Sequence, residues 1–475
     1  MQGRHRLGPS PIGTAAILVC CVLGTIISFR DAMPSQVARW VSVVLLIGFA
    51  ISFLLDARAG LRNLIRVDIF ALLSFHFLLY FEFLFEQSLF DTLVIPDDLV
   101  TAIHLTLMGV ATIVIGRHID IFPKGTLDHI GKIEMRPRDF LIIFFGATFL
   151  NFLPMLLAVE FNPIAWFEET LKWRFGRAWG RGRYGDLSAL LFELQLMGYV
   201  MPPVAGVILA RRKLYSKFAV AVVLFFVVVL WYSAFSSGTR NVLAIQVAGF
   251  FAGFFIVQKQ LKLKLIIPTV LLVGIGFVYL AGMMLEFRNM GLGRYIEEGR
   301  HTAAFAEIED QYQGDNLNSG EYGYFVDYNL WRVAQMSAAF PQYYDYLGFN
   351  FVFVALTKPI PRAFWPGKPT DLAVSIEDVV GAQGYTVAVA WVGEAYIAGG
   401  RPWIIAIGLL IGMFCCYWNH LAKYITTPFP LIVFASGFYA ILLLMRSLQF
   451  FTTSLLPSVA LVVMGIVIHK SRGEN

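Results

Sequence analysis

Four arginines and one glutamate are the residues of this chain whose types and settings best suit chemistry. Arg240 follows Ser236-Ser237-Gly238-Thr239 and opens an apolar run, and Arg288 leaves another at Glu286-Phe287-Arg288-Asn289. Arg446 ends a third. Arg362 sits in the stretch Pro359-Ile360-Pro361-Arg362-Ala363-Phe364-Trp365-Pro366-Gly367-Lys368-Pro369. Ionised groups near hydrocarbon are costly and usually face a bundle interior or a wet cavity. A guanidinium offers a planar fork of donors that matches phosphate oxygens in pairs. Several at one membrane surface would suit a membrane-anchored phosphate or pyrophosphate. Each arginine taken alone could equally snorkel from a helix end to the interface. Glu394 is the lone acid of the apolar run from Val387 to Ile397, beside Trp391 and Tyr396. Partial burial there would raise its pKa and suit a general base. Structural pairing with a nearby arginine is the other reading. Asp327 and His301 are rival bases. Glu82 and Glu86, at helical spacing in an apolar run, would line a cavity or simply pair.

Other chemistries lack their residues. There is no His-Glu-x-x-His, Cys-x-x-Cys, Gly-x-Ser-x-Gly or phosphate loop, and no Asp-x-Asp of the kind that holds a divalent metal on a nucleotide sugar. Cys20-Cys21 and Cys415-Cys416 are adjacent pairs in apolar runs and propose neither a disulfide framework nor a metal site. No metal and no cofactor are expected.

The elements that must position these residues are membrane spans. Of 475 residues, 58% are hydrophobic and only 15% charged, against about a quarter charged in soluble proteins. The mean hydropathy is +0.68. This composition predicts an all-α, polytopic integral membrane protein. A span needs about 20 mostly apolar residues. Twelve stretches qualify: roughly 11–29, 38–55, 68–88, 99–116, 139–158, 187–210, 217–235, 241–257, 265–285, 402–419, 429–445 and 455–469. Arg4 and Arg6 precede the first, which reads as an uncleaved span. Lysine and arginine collect in short cytoplasmic loops. With the N-terminus inside, the Arg58/Arg62/Arg66 turn, the loop from Arg117 to Arg138, Arg211-Arg212-Lys213, Lys259/Lys262/Lys264, Lys423 and the tail all fall on the cytoplasmic side. The net charge of +5 is thereby explained by topology, with no nucleic-acid partner implied.

Three parts follow. Residues 1–285 hold spans one to nine, including an external loop, 159–186. Residues 286–401 form a large external loop with short helices, and 402–475 hold spans ten to twelve and a cytoplasmic tail. The 159–186 loop breaks the charge rule, with Lys172, Arg174, Arg177, Arg181 and Arg183 and no acid from 172 to 183. Arginine and tryptophan among glycines would suit a mobile segment that binds a polyanion or sugar phosphate. An interfacial segment on lipid headgroups is the alternative. In the large loop, Glu297 to Asp345 is acidic and Tyr-rich and reads as surface helices, a lid or cover. Phe351 to Leu356 is too short to span and reads as re-entrant or interfacial. The Pro-rich strap reads as a rigid irregular segment.

The strap from Pro359 to Pro369, the following Gly393-Glu394-Ala395-Tyr396 and Gly399-Gly400, and the Ser-Gly-Thr-Arg240 turn resemble the oligosaccharide repeat-unit polymerases, the Wzy-type O-antigen polymerases. The layout of about a dozen spans with both termini inside is also similar. The resemblance implies a GT-C-like fold in a bacterial inner membrane with the active site facing the periplasm. It implies a metal-independent glycosyltransferase that joins undecaprenyl-pyrophosphate-linked oligosaccharides into a surface polysaccharide, an O-antigen or exopolysaccharide. Its partners would be those lipid-linked substrates, membrane lipids, a chain-length regulator and a flippase. On this resemblance Arg240, Arg288 and Arg362, with Lys368 and Arg446, would hold the pyrophosphate and stabilise the charge that develops as it leaves. Glu394 would take the proton from the acceptor hydroxyl. Arg177 and Arg181 would guide the substrate, and Trp365 and Trp391 would stack on sugar rings.

Three alternatives stay open at this point. An O-antigen ligase would use the same chemistry with another acceptor, but His301, the lone histidine of the large loop, does not sit in a ligase-like setting. A lipid-linked oligosaccharide flippase would need ionisable groups deep in several spans and repeat-related halves. A membrane scaffold in a polysaccharide assembly complex is the third. The loop between the first two spans, Arg30 to Val37, is short with one acid, Asp31, which counts against a metal-dependent aminoarabinose transferase or oligosaccharyltransferase.

Overall fold

The computed structural model describes residues 8–173, 176–178, 191, 193–238, 240–258, 263–298, 328–360, 364–365, 367–368, 376–379, 387–424 and 427–472. Helices and turns make up all regular structure among these residues. In chain order the principal helices are α1 (Pro11–Ile27), α2 (Pro34–Ala57), α3 (Val67–Leu79), α4 (Pro96–Gly116), α5 (Gly125–Lys132), α6 (Pro137–Ala158), α7 (Met201–Ala210), α8 (Lys217–Ser236), α9 (Arg240–Ile256) and α10 (Leu263–Met290). Then come α11 (Asn329–Ala339), α12 (Phe349–Thr357), α13 (Ala390–Trp418), α14 (Pro428–Arg446) and α15 (Leu456–Lys470).

Among the described residues, seven helical segments have the length and hydropathy to cross a membrane: Pro34–Ala57, Pro96–Gly116, Pro137–Ala158, Lys217–Ser236, Ala390–Lys423, Pro428–Arg446 and Leu448–Lys470. They make this chain an α-helical membrane protein. Shorter apolar helices stand at the other five predicted stretches: Pro11–Ile27, Val67–Leu79, Leu194–Ala210, Asn241–Ile256 and Ile266–Gly276. The third stretch departs most from expectation. Its helix ends at Leu79, Tyr80 leaves helical geometry, and a tight turn, Phe81–Leu84, follows. Side chains take up the freed carbonyls: Arg39 Nε donates to Phe83 O at 3.0 Å and Gln87 Nε2 to Glu82 O at 3.1 Å. Glu82 and Glu86 therefore share no helix face, contrary to their spacing in sequence.

The chain forms two compact units, residues 1–134, 326–360 and 367–475 in one and 135–325 and 361–366 in the other. In the first unit, α14 is the central helix. Its sequence is apolar on every side, and Pro428 to Ile441 are buried without interruption, as an all-round hydrophobic helix must be. α13 runs against α4 at backbone contact. A Cβ on Gly412 would stand 2.4 Å from Ile113 O, and one on Gly116 would stand 2.4 Å from Leu409 O. Small residues allow this approach where dispersion between backbones, rather than exclusion of water, joins helices. α11 corrects the expectation of surface helices in the acidic segment. Leu330, Val333 and Ala334 are buried, and the helix packs on α4 and α13. Its apolar residues recur on one face, so it had to be covered. In the second unit, α7 lies along α9, and a Cβ on Gly253 would stand 2.2 Å from Pro203 O.

Candidate functional site

α13 is two helices joined at a break. Gly399 and Gly400 leave helical geometry, and Gly400 takes a φ of 73°, where a side chain would also meet the Tyr346 hydroxyl at 3.0 Å. The chain before the break carries Trp391 and Glu394, and the chain after it is the membrane-crossing half. The carbonyls of Ile397 and Ala398, which lose helical partners at the break, accept from Leu347 N at 3.1 Å and Gly348 N at 2.7 Å. The break is thus capped by the segment leading into α12.

Glu394 is 4% exposed, and both of its oxygens are engaged. Ser447 Oγ donates to Oε1 at 2.6 Å, and the backbone N–H groups of Leu448 and Gln449 donate to Oε2 at 2.5 and 3.3 Å. These donors belong to the turn that follows α14, directly after Arg446. A buried carboxylate is tolerable only when its lone pairs are satisfied, and here uncharged donors satisfy them. Lys358 acts on Glu394 electrostatically. Its Nζ donates to Gln449 Oε1 at 3.3 Å and lies 4.0 Å from the centroid of the Phe450 ring. Lys368 Nζ in turn donates to the carbonyls of Lys358 and Ile360 at 2.8 and 2.9 Å. One carboxylate, Lys358 and Lys368, with Arg446 beside the turn in sequence, therefore share this region of the first unit.

The other expected residues fall as follows. Arg240 is the first residue of α9 and Arg288 is in the last turn of α10, while their side chains lie outside the described residues. Arg181 and Arg362 lie outside them entirely, as do Asp327 and His301. Trp365 is half-buried in the strap. Two expectations need correction. Trp391 is fully buried, its ring 5.8 Å from that of Phe75 and its indole seated over Gly109 and Gly408. No sugar can stack on a ring enclosed by α3, α4 and α13. Arg177 is also buried, and burial lowers its pKa. Its guanidinium donates to the carbonyls of Thr170 (3.0 Å), Lys172 (3.4 Å) and Ser236. It is a strut of the second unit, with Nε and Nη2 bonded to backbone carbonyls.

Sequence reasoning missed a second polar cluster in the first unit. Arg66 Nη2 donates to Asp56 Oδ2 at 2.7 Å, and Arg66 Nε to Asp68 Oδ1 at 2.9 Å. Arg117 Nη1 donates to Asp68 Oδ2 at 3.3 Å and Nη2 to Thr14 Oγ1 at 2.7 Å. Asn419, the C-cap of α13, donates to Asp68 Oδ1 at 2.8 Å and accepts from Val67 N at 2.9 Å. All four charged side chains are buried. Arg66 and Arg117 were read from sequence as loop charges facing the cytoplasm, whereas both are paired inside the bundle. The available signal was Asp56 and Asp68, acids at the ends of apolar runs on either side of Arg66.

No curated protein and no solved structure matches the chain. A family model does match residues 182–472, more than half of the chain, and the chain belongs to that family, described as a domain of unknown function (DUF8712).

Proposed function

We propose that this protein is a polymerase of lipid-linked oligosaccharide repeat units, a metal-independent glycosyltransferase. Its membrane-spanning helical architecture supports the reading, as does the strap and Gly-Glu-x-Tyr resemblance. The observation that carries it is the buried Glu394 carboxylate, held by uncharged donors, with Lys358 and Lys368 close by and Arg446 adjoining in sequence. In this reading the chain crosses a bacterial inner membrane twelve times with both termini in the cytoplasm, in a GT-C-like arrangement. Residues 286–401 face the periplasm.

The reaction forms one bond and breaks one. The acceptor hydroxyl oxygen of an incoming unit bonds to the anomeric carbon of the growing glycan. The bond from that carbon to the undecaprenyl pyrophosphate oxygen breaks, and the pyrophosphate leaves with the electron pair. Lys368 and Arg446 of the first unit stabilise the departing charge, and Arg240, Arg288 and Arg362 are the further cations that the resemblance implies. The proton of the acceptor hydroxyl goes to Glu394. Both carboxylate oxygens are already engaged, so the transfer runs through Ser447: its Oγ receives the proton and passes its own to Glu394 Oε1.

Mass spectrometry of lipid-linked glycans from a strain lacking the gene tests this proposal. Single repeat units on undecaprenyl pyrophosphate should accumulate, and multiples should vanish. Polymer retained on the carrier would point to a ligase, and units trapped on the cytoplasmic face to a flippase. Arg288→Ala or Arg240→Ala should abolish polymer while leaving membrane insertion unchanged. Long polymer made by either variant would remove that arginine from the mechanism.

A further inference from the structure

α12 is tied at both ends to the two segments that meet at Glu394. At its first end, Leu347 N donates to Ile397 O at 3.1 Å and Gly348 N to Ala398 O at 2.7 Å, just past Glu394 in α13. At its far end, Thr452 Oγ1 donates to Ala355 O at 2.5 Å, and the C-cap residue, Lys358, reaches the turn that follows α14. Its Nζ donates to Gln449 Oε1 at 3.3 Å and lies 4.0 Å from the centroid of the Phe450 ring. Lys368 Nζ bonds the carbonyls of Lys358 and Ile360, just past the helical end, where no intrahelical N–H can reach them.

The turn itself, Leu448–Phe450, is a single turn of 3-10 helix that opens on Ser447. Its opening N–H groups, of Leu448 and Gln449, have no carbonyl within the turn to bond, and both donate to Glu394 Oε2. Gln449 thus serves twice: its backbone holds the carboxylate and its side chain accepts from Lys358. A lysine at the end of a helix also suits the helix dipole. The dipole asks only for positive charge nearby, however, and does not require the ammonium to sit against an amide and a ring of another element. Those two contacts are directional, and both fall on the turn. We propose that Lys358 is a positioning residue for Glu394: by holding the Gln449 side chain and the Phe450 ring, it fixes the turn whose N–H groups orient the carboxylate. Its consequence for catalysis rests on the polymerase reading, in which Glu394 and Ser447 must keep one relation to pass a proton. The fixing of the turn does not rest on that reading.

Hydrogen exchange of the full-length protein in detergent, read by mass spectrometry at single amides, tests the fixing. Lys358→Met keeps the length of the side chain and removes the ammonium. The Leu448 and Gln449 amides should then exchange about tenfold faster, as when one charge-assisted hydrogen bond is lost from local stability, while those of α4 keep their rates. Gln449→Leu leaves Lys358 at the end of α12 but removes its acceptor. It should do the same, and it carries the test if Lys358→Met fails to insert. Lys358→Arg can still donate to the amide and stack on the ring, and should restore the parent rates. Unchanged exchange at Leu448 and Gln449 in Lys358→Met and Gln449→Leu would overturn the proposal and leave Lys358 as a helix cap. The surface polysaccharide ladder from strains carrying the same variants tests the consequence. It should be short with Lys358→Met and Gln449→Leu and full with Lys358→Arg. A full ladder with Lys358→Met, where Glu394→Gln makes none, would overturn the positioning role. A full ladder with Glu394→Gln as well would remove Glu394 from the reaction, and faster exchange in Lys358→Met would still support the fixing of the turn.

Discussion

The first unit holds two buried polar clusters, and they are built on different principles. At one, Asp56, Arg66, Asp68 and Arg117 neutralise one another two for two, and Asn419 and Thr14 satisfy further positions. At the other, Glu394 has no cation among its hydrogen-bond partners; a hydroxyl and two backbone N–H groups hold it. The 29-residue α13 reaches from one to the other. The half after the break, Arg401 to Trp418, is on the order of 27 Å long at a rise of about 1.5 Å per residue, close to the roughly 30 Å of a hydrocarbon core. A charge-balanced network ties helix ends together, with Arg117 Nε left without a hydrogen-bond partner. A single carboxylate held by neutral donors keeps its charge unbalanced within the cluster, with cations around it. The contrast teaches where to look for chemistry: in the proposed function the Glu394 end works, and the Asp68 end holds.

The sharpest way to break this comparison is at Asp68. Asp68→Ala takes the carboxylate from Arg117 and leaves Arg66 with Asp56 alone inside the bundle, and removing one partner of a buried ion pair costs about 3–5 kcal/mol, a large share of typical stability. Thermal unfolding in detergent should show a protein barely folded. A melting temperature equal to that of the parent would mean that this end holds nothing. Glu394→Ala should cost less, about 1–3 kcal/mol, because it orphans neutral donors. Glu394→Gln keeps an acceptor and should insert and fold while making no polymer. If it polymerises with an unchanged pH profile, Glu394 has no part in the reaction. Ser447→Ala removes one hydrogen bond, about 1 kcal/mol by unfolding, and should lower turnover more than stability if the proton passes through its hydroxyl.

The smallest effect concerns acid stability at the holding end. Asp128 of α5 accepts from Tyr424 and interacts with His420, and these hydrogen bonds depress its pKa. A depressed carboxylate contributes stability that is complete above its unfolded pKa, about 3.9, and is lost as pH falls through the lower folded value. Tyr424→Phe should therefore lower stability slightly at neutral pH, and the difference from the parent should vanish as pH falls well below about 4, which leaves the acid limb of the stability curve flatter.

The apolar periodicity made the helices legible, because hydrocarbon thickness sets the length of an apolar run. It misjudged α3, where the run from 68 to 88 stays apolar after the backbone has left the helix at Tyr80. Glu394 was legible as a lone acid among apolar residues. Its partners were not, since Ser447, Leu448 and Gln449 carry no charge and two of them act through the backbone. Arg66 and Arg117 were visible but misread: a loop charge facing water and a charge paired inside look alike until the chain folds. Trp391 misled in the opposite sense, as an aromatic beside an acid suggests a sugar platform until Gly109 and Gly408 let helices close over it.

The gel profile of surface polysaccharide tests the central claim most directly, in a strain that lacks the gene and carries either the parent chain or Glu394→Gln at matched membrane levels. The account predicts a full ladder with the parent and only single repeat units with the variant or with no chain. A long ladder in the strain without the chain would contradict it.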